Sequence, residues 1–246
     1  MAALAGKNAL PPLGFIAIDL NIHRPPGDPY NERTWPFPLI REMAEGSKVS
    51  QVVTSSKYDT WFIDRFVDAG LRLAAKGCVG IITSCGFLAM AQAELSAKLP
   101  IPIATSSLAQ LPSVLPLLLP SKSVGVLTYD DTRLGPGHLT SFVPEAFLER
   151  IIVRGVPPDG HLRNTIGNGA PYIHTDIEAE LVAVAKELVT DRQEIAILIL
   201  ECTNMPPFSE AIFNALGKKI PVYDVYTMGK WFYSGLVRQT PEDWKN

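Results

Sequence analysis

The regular pattern of the chain begins with an apolar run from Leu13 to Leu20, interrupted only by Asp19 near its end, which is the signature of a strand buried on both faces. From Tyr58 to Lys76 the apolar residues Trp61, Phe62, Phe66, Leu71 and Leu73 recur at three- and four-residue steps and predict a helix. Gly77 stands where a left-handed C-cap is wanted. Cys78 to Thr83 then reads as a second buried strand, followed by a helix through Leu88, Ala91 and Leu95 and a short extended Ile101 to Ala104. This alternation of strand and helix favours a mostly parallel sheet with helices on its faces.

The second half repeats the order. Ser123 to Tyr129 and Arg150 to Val153 read as strands, and Thr175 to Leu188 as a helix opened by a capping box of Thr175 and Glu178. The strand Ile195 to Leu200, a turn at Cys202, a helix from Phe208 to Leu216 and an extended Ile220 to Val225 follow. Laid side by side, Gly14-Phe15-Ile16-Ala17-Ile18-Asp19 matches Gly125-Val126-Leu127-Thr128-Tyr129-Asp130. Cys85 and Cys202 each follow an apolar strand, and each is followed by a helix and an Ile-Pro pair, at Ile101-Pro102 and Ile220-Pro221. Three landmarks in one order at closely similar intervals indicate two related α/β lobes with the cysteines at equivalent points.

Composition narrows the partners. The 246 residues are 47% hydrophobic and carry a formal net charge of −3, enough for a substantial core and without the clustered Lys and Arg that a nucleic-acid surface needs. A small-molecule partner is the expectation. The most apolar run, Leu108 to Pro120, contains Pro112, Pro116 and Pro120 and is shorter than the roughly 20 residues a membrane span takes. The first segment, Met1 to Pro12, lacks the apolar stretch of a secretory signal. A cytoplasmic protein without membrane contact is therefore expected. Three cysteines without tight spacing do not make a disulfide framework, so the thiols are expected to be free.

Ligands of open α/β sheets bind beyond the carboxyl ends of the strands, where Cys85 and Cys202 fall. Each also precedes a helix, whose N–H groups and dipole are expected to ease a thiol of pKa about 8.5 toward thiolate. Two lobes facing each other across a pseudo-twofold axis would bring the sulfurs to opposite sides of one ligand. Two weak acid/bases so placed suit stereoinversion, one removing an α-proton and the other returning a proton to the opposite face. The charge left on an adjacent carboxylate or carbonyl calls for fixed donors. Ser84 and the amides of Gly86 and Phe87, Thr203 and Asn204, and the Tyr129 phenol are the candidates. Asp19 and Asn21, after the first strand, either orient a group near Cys85 or cap a turn. Cys78, at the start of a buried strand, is assigned to the core. No G-x-G-x-x-G turn or P-loop is present, and His23, His138, His161 and His174 fall in expected loops without metal-ligand spacing. No cofactor and no metal are expected.

These residues resemble the aspartate/glutamate racemase superfamily, which includes hydantoin racemases, maleate isomerases and arylmalonate decarboxylases. The resemblance rests on the repeat, on Thr83-Ser84-Cys85-Gly86-Phe87, on Thr128-Tyr129-Asp130 and on Glu201-Cys202-Thr203-Asn204-Met205-Pro206-Pro207. It implies two Rossmann-like lobes related by pseudo-twofold symmetry, each with a mostly parallel sheet flanked by helices and with the site between them. It also implies cofactor-independent 1,1-proton transfer by two cysteines on an amino acid, hydantoin or related small acid, and a homodimer or higher homo-oligomer. The chain is expected to return to the first lobe at its end, giving residues 1–119 with 227–246 as one lobe and 120–226 as the other. Asn204 stands where glutamate racemases carry a histidine, and Gly86-Phe87 where aspartate racemases favour Asn-Thr. Tyr129 is similar to the carboxylate-binding tyrosine of the maleate isomerase and decarboxylase branches, whereas decarboxylases keep only the second cysteine. Isomerisation or decarboxylation of a small dicarboxylate, and a non-catalytic module that binds a small acid, stay open as alternatives. The proline-rich loop from His23 to Pro38, with Trp35 and Phe37, is expected to act as a lid that meets an apolar part of the ligand.

Overall fold

The computed structural model describes residues 9–240 and Trp244. Its strands form two sheets, each parallel throughout. Strands β1 (Leu13–Ile18), β2 (Leu39–Ala44), β3 (Ile81–Thr83) and β4 (Ile103–Ala104) lie in the order β2-β1-β3-β4. Strands β5 (Ser123–Thr128), β6 (Ile151–Gly155), β7 (Ile195–Leu200) and β8 (Val222–Tyr223) lie in the order β6-β5-β7-β8. The identical order is the internal repeat in three dimensions, and the fold is two α/β lobes, each a parallel sheet flanked by helices.

Strands β1 and β5 are buried along their whole length, as uninterrupted apolar runs require. The helix Thr60–Ala75 covers the first sheet with a stripe of Phe62, Ile63, Phe66, Ala69 and Leu73, and Asp59 caps it by accepting the Phe62 N–H at 2.8 Å. Gly77, at φ +80°, ends it as foreseen. In the second lobe the helix His174–Asp191 buries Ile177, Leu181, Val184, Ala185 and Leu188. Its start departs from expectation. Ile173 occupies the cap without a side-chain bond, and the Thr175 hydroxyl, already inside the first turn, turns to Asp176. Packing of Ile177 and Leu181 therefore fixes where this helix begins, and the Thr-x-x-Glu pattern is incidental.

The expected helix after Cys85 is two pieces, a 3-10 turn Gly86–Ala91 and an α-helix Gln92–Lys98. Strand β2 was not foreseen. It is an edge strand with Arg41 and Met43 exposed, tied to the neighbouring helix by Glu42, which pairs with Arg72 at 2.7 Å and Lys76 at 2.5 Å. Of the four histidines only His23 lies in a loop. His138, His161 and His174 sit in helices, two of them the pieces Pro136–Thr140 and His161–Gly167, too short to leave a periodic signal.

The aromatic residues of the long loop do not face a ligand. Trp35 and Phe37 are buried and stack on each other, and Phe37 stacks on Tyr233 with ring centroids 3.8 Å apart. Tyr233 belongs to the C-terminal helix Val225–Leu236, capped by Asp224, which packs with Val225 and Met228 against Leu13, Phe15 and Ala17 of β1. Gly229 of that helix lacks a side chain where the Trp35 ring approaches. Burial of large apolar rings, worth about 1.5–3 kcal/mol each, holds this loop to the helix. Residues 241–243, 245 and 246 lie outside the described residues. Phe37→Ala is expected to lower stability by about 3–5 kcal/mol, read from the denaturant midpoint. An unchanged midpoint would mean that the aromatic cluster is not part of the core.

Candidate active site

Each cysteine is held by the same local device. Cys85 follows the end of β3 by one intervening residue, Ser84, and Cys202 follows β7 by one, Glu201. The carbonyl of Cys85 accepts the Leu88 N–H at 3.2 Å, and that of Cys202 accepts the Met205 N–H at 3.0 Å. Each sulfur faces the backbone N–H of the residue two positions on, Phe87 in one lobe and Asn204 in the other. All three cysteines are free.

The two turns meet across the seam between the lobes. The Thr203 hydroxyl donates to the Ser84 carbonyl at 2.5 Å, and the Ser107 hydroxyl donates to the Leu200 carbonyl at 2.8 Å. A narrow cavity of about 30 Å³ lies here, reached by Cys85 and Cys202 together with Ser84, Gly86, Phe87, Tyr129, Thr203 and Asn204. Its remaining wall is aliphatic, from Ile18, Leu20, Val49, Val52, Val53 and Ile166. The one charged side chain on the wall is Arg24.

Asp19 and Asn21 do not join this group; both are exposed, and the alternation of an extended segment turns Ile18 and Leu20 to the cavity instead. The Thr203 hydroxyl spends its proton on the seam, and the Ser84 hydroxyl accepts the Ile18 N–H at 2.8 Å. Tyr129 is half-buried under the Arg163 guanidinium, 5.1 Å from its ring centroid, and Arg163 pairs with Asp130 at 2.8 Å.

Sequence reasoning missed Arg24, Asp28 and Glu201. Arg24 reaches the cavity because Asp28, 1% exposed, holds it at 3.3 Å; the same carboxylate oxygen accepts the Asn204 amide at 2.8 Å. That leaves the Asn204 oxygen 3.9 Å from the Cys202 sulfur. The loop thus contributes its charged residues rather than its rings. An Arg-x-x-x-Asp spacing in a proline-rich loop was the available signal. Glu201 is also 1% exposed; one oxygen accepts the Thr128 hydroxyl at 2.6 Å, and the other has no hydrogen-bond partner. A carboxylate directly before Cys202 was visible in the sequence but carried no pattern.

The thiols are not eased toward thiolate. Burial, then the charge of Glu201, pushes the Cys85 and Cys202 thiols well above the ordinary cysteine range, against the weaker pull of the facing N–H groups. Burial also raises Cys78, packed in the first lobe's core, to about 11. Glu201 itself is raised by burial to about 7.

No family model matches the chain. Among solved structures it is similar to a variant of arylmalonate decarboxylase with bound sulfate (TM-score 0.60, 19% identity, 92% of this chain and 93% of that one). Glutamate racemase from Bacillus anthracis (TM-score 0.56, 16% identity, 91% and 80%) and allantoin racemase from Pseudomonas fluorescens (TM-score 0.60, 15% identity, 92% and 91%) share the architecture. The chain shares the two-lobed α/β fold of these structures. Among curated proteins the chain is similar to a dimethylsulfoniopropionate lyase of Durusdinium sp. clade D, 27% identical over 92% of this chain and 75% of that protein. It is also similar to dimethylsulfoniopropionate lyase 5 of Emiliania huxleyi, 26% identical over 93% of this chain; the match spans 46% of that protein's length. Among the described residues no helix is long and apolar enough to cross a membrane, and no group of three or more His, Cys, Asp or Glu could hold a metal ion.

In the ligand-free protein, iodoacetamide should modify Cys85 and Cys202 at pH 8 at least about tenfold more slowly than an unstructured thiol, with the rate still rising above pH 9. Modification at the free-thiol rate, followed by peptide mass spectrometry, would contradict the buried, protonated state.

Proposed function

We propose that the protein is a cofactor-independent enzyme that removes the proton from the carbon next to the carboxylate or carbonyl of a small acid, with Cys85 and Cys202 as the acid/base pair. The observation that carries this reading is the meeting of two free, equivalently placed cysteines in one cavity whose single wall charge is a cation. The substrate carboxylate pairs with Arg24, which Asp28 keeps aimed at the cavity. One sulfur, as thiolate, takes the α-proton. The electron pair moves onto the carboxylate, where Arg24 and the amides of the two cysteine turns stabilise the added charge. The other sulfur then delivers a proton to the opposite face, which completes a racemisation or epimerisation. A buried thiol is costly to ionise, and for the same reason its thiolate is a strong base, which a weakly acidic C–H requires.

A second outcome of the same first step is favoured by the two lyase relatives. Where the substrate bears a leaving group on the β-carbon, the electron pair left by proton removal forms the C=C bond and expels that group. For dimethylsulfoniopropionate the C–S bond breaks, the sulfur keeps its electrons, and acrylate and dimethyl sulfide leave. The aliphatic wall around Val49, Val52, Val53 and Ile166 suits methyl groups on such a substrate. Both outcomes need α-proton removal, and only the first needs its return.

Incubation in deuterated water with a panel of chiral small acids should give inversion with deuterium at the α-carbon. Parallel incubation with dimethylsulfoniopropionate, followed by headspace detection of dimethyl sulfide, reads the elimination. Cys85→Ser and Cys202→Ser should each lower kcat by about 10²–10⁴ for the accepted substrate. Arg24→Ala should act mainly on KM. Full activity in the double serine variant would overturn the reading.

A further inference from the structure

Glu201 is the one buried acid at the seam that the mechanism above leaves unused. It sits between the two cross-lobe hydrogen bonds, directly after Leu200 and directly before Cys202. From the other lobe the Cys85 turn presses onto it, because Gly86 has no side chain and a Cβ there would collide with both the Glu201 carboxyl and its carbonyl. The packing is mutual: the glycine leaves room for the acid, and the acid fills the space under the turn. Its backbone N–H is spent on the Leu127 carbonyl at 2.7 Å, and one carboxyl oxygen on the Thr128 hydroxyl. The other oxygen has no hydrogen-bond partner. A fully buried carboxyl with a vacant oxygen is costly to keep unless its charge state does something.

We propose that Glu201 is a positioning residue whose carboxyl, wedged between the two cysteine turns, sets how readily either sulfur gives up its proton. The inference rests on the acid/base reading of Cys85 and Cys202. The charged and titratable groups around the seam are Cys85 and Tyr58 from the first lobe and Cys202 and Tyr129 from the second. The Arg24 and Asp28 pair acts on Cys202 from the loop side, with opposite signs, and Arg163 acts on Tyr129. His138, stacked edge-on to Phe87 beyond the Cys85 turn, is held neutral by burial. Glu201 acts on both sulfurs in the same direction. As a carboxylate it adds to the burial that keeps both protonated; as a neutral acid it takes that added share away and leaves burial alone to oppose ionisation. Since its midpoint lies at about 7, the two states exchange near neutral pH. Its charge also makes a thiolate, once formed, the stronger base.

The test uses the full chain in two variants. Glu201→Gln keeps shape and the acceptor for Thr128 but has no charge. The thiolate absorbance near 240 nm, titrated without substrate, should move to lower pH for both cysteines, with about tenfold more thiolate at pH 8. Thr128→Val keeps the acid and the Tyr129 N–H that also faces it but removes the hydroxyl donor, so Glu201 should hold its proton to higher pH, visible as a carboxylic-acid C=O infrared band persisting above pH 7. The thiols should then ionise more easily between pH 7 and 8 than in the parent protein. With an accepted substrate, Glu201→Gln should shift the pH profile downward and lower kcat several-fold while KM stays within about twofold. Thiol titrations that coincide in the parent and either folded variant would overturn the proposal. Because the titrations need no substrate, their failure is separable from failure of the acid/base reading, which deuterium exchange tests.

Discussion

Two hydroxyl-to-carbonyl bonds across the lobe seam, Thr203 to Ser84 and Ser107 to Leu200, hold the chemistry of this protein in register. Both lie at the carboxyl ends of parallel strands, where each sheet releases its chain into a turn. Parallel pairing brings β3 and β7 out at the same end of their sheets, next to β1 and β5. The two bonds then join those ends to one another. Because the Thr203 hydroxyl follows one cysteine directly and the Ser84 carbonyl precedes the other, the bond fixes the two sulfurs relative to each other as well as each to its own lobe.

Within that frame, two effects compete over the thiols, and their sizes decide the result. Backbone N–H groups at a helix start stabilise a nearby charge by about 0.3–1 kcal/mol, and by up to about 2 kcal/mol in partly buried sites. Burial opposes a charge by up to about 4–7 kcal/mol when it is complete, and Cys202 is buried while Cys85 is partly so. The helices here are also short 3-10 pieces, so the smaller effect is smaller still. Burial therefore wins over the facing N–H groups at both sulfurs.

Much of the fold was legible because fully buried parallel strands are continuous apolar runs, and a duplicated order of such runs is hard to produce by chance. The placement of Cys85 and Cys202 followed from strand ends alone. What the sequence concealed had no period to reveal it. Strand β2 mixes Arg41 and Glu42 with apolar neighbours, since an edge strand pairs on one side only. Asp19 and Leu20 differ in fate by one step of strand alternation, which is below the precision of any boundary drawn from pattern. The loop rings hold a role opposite to the one expected of them, and the loop charges carried no expectation. Trp35 and Phe37 stay dry against the C-terminal helix, whereas Arg24 of the same loop reaches the cavity. Glu201 was hidden for a different reason: a lone acid beside a cysteine has a meaning only when the opposing Gly86 is known.

The stacking of Phe37 on Tyr233 has a consequence for how the site is assembled during synthesis. Both cysteine turns can be built once β7 and its turn have formed. The loop that carries Arg24 and Asp28 precedes both turns in the chain, yet has its docking surface on a helix that ends at Leu236. A nascent chain thus makes both cysteine turns before it makes the helix against which the loop carrying Arg24 packs. That helix, made after both turns, packs against a segment made well before them.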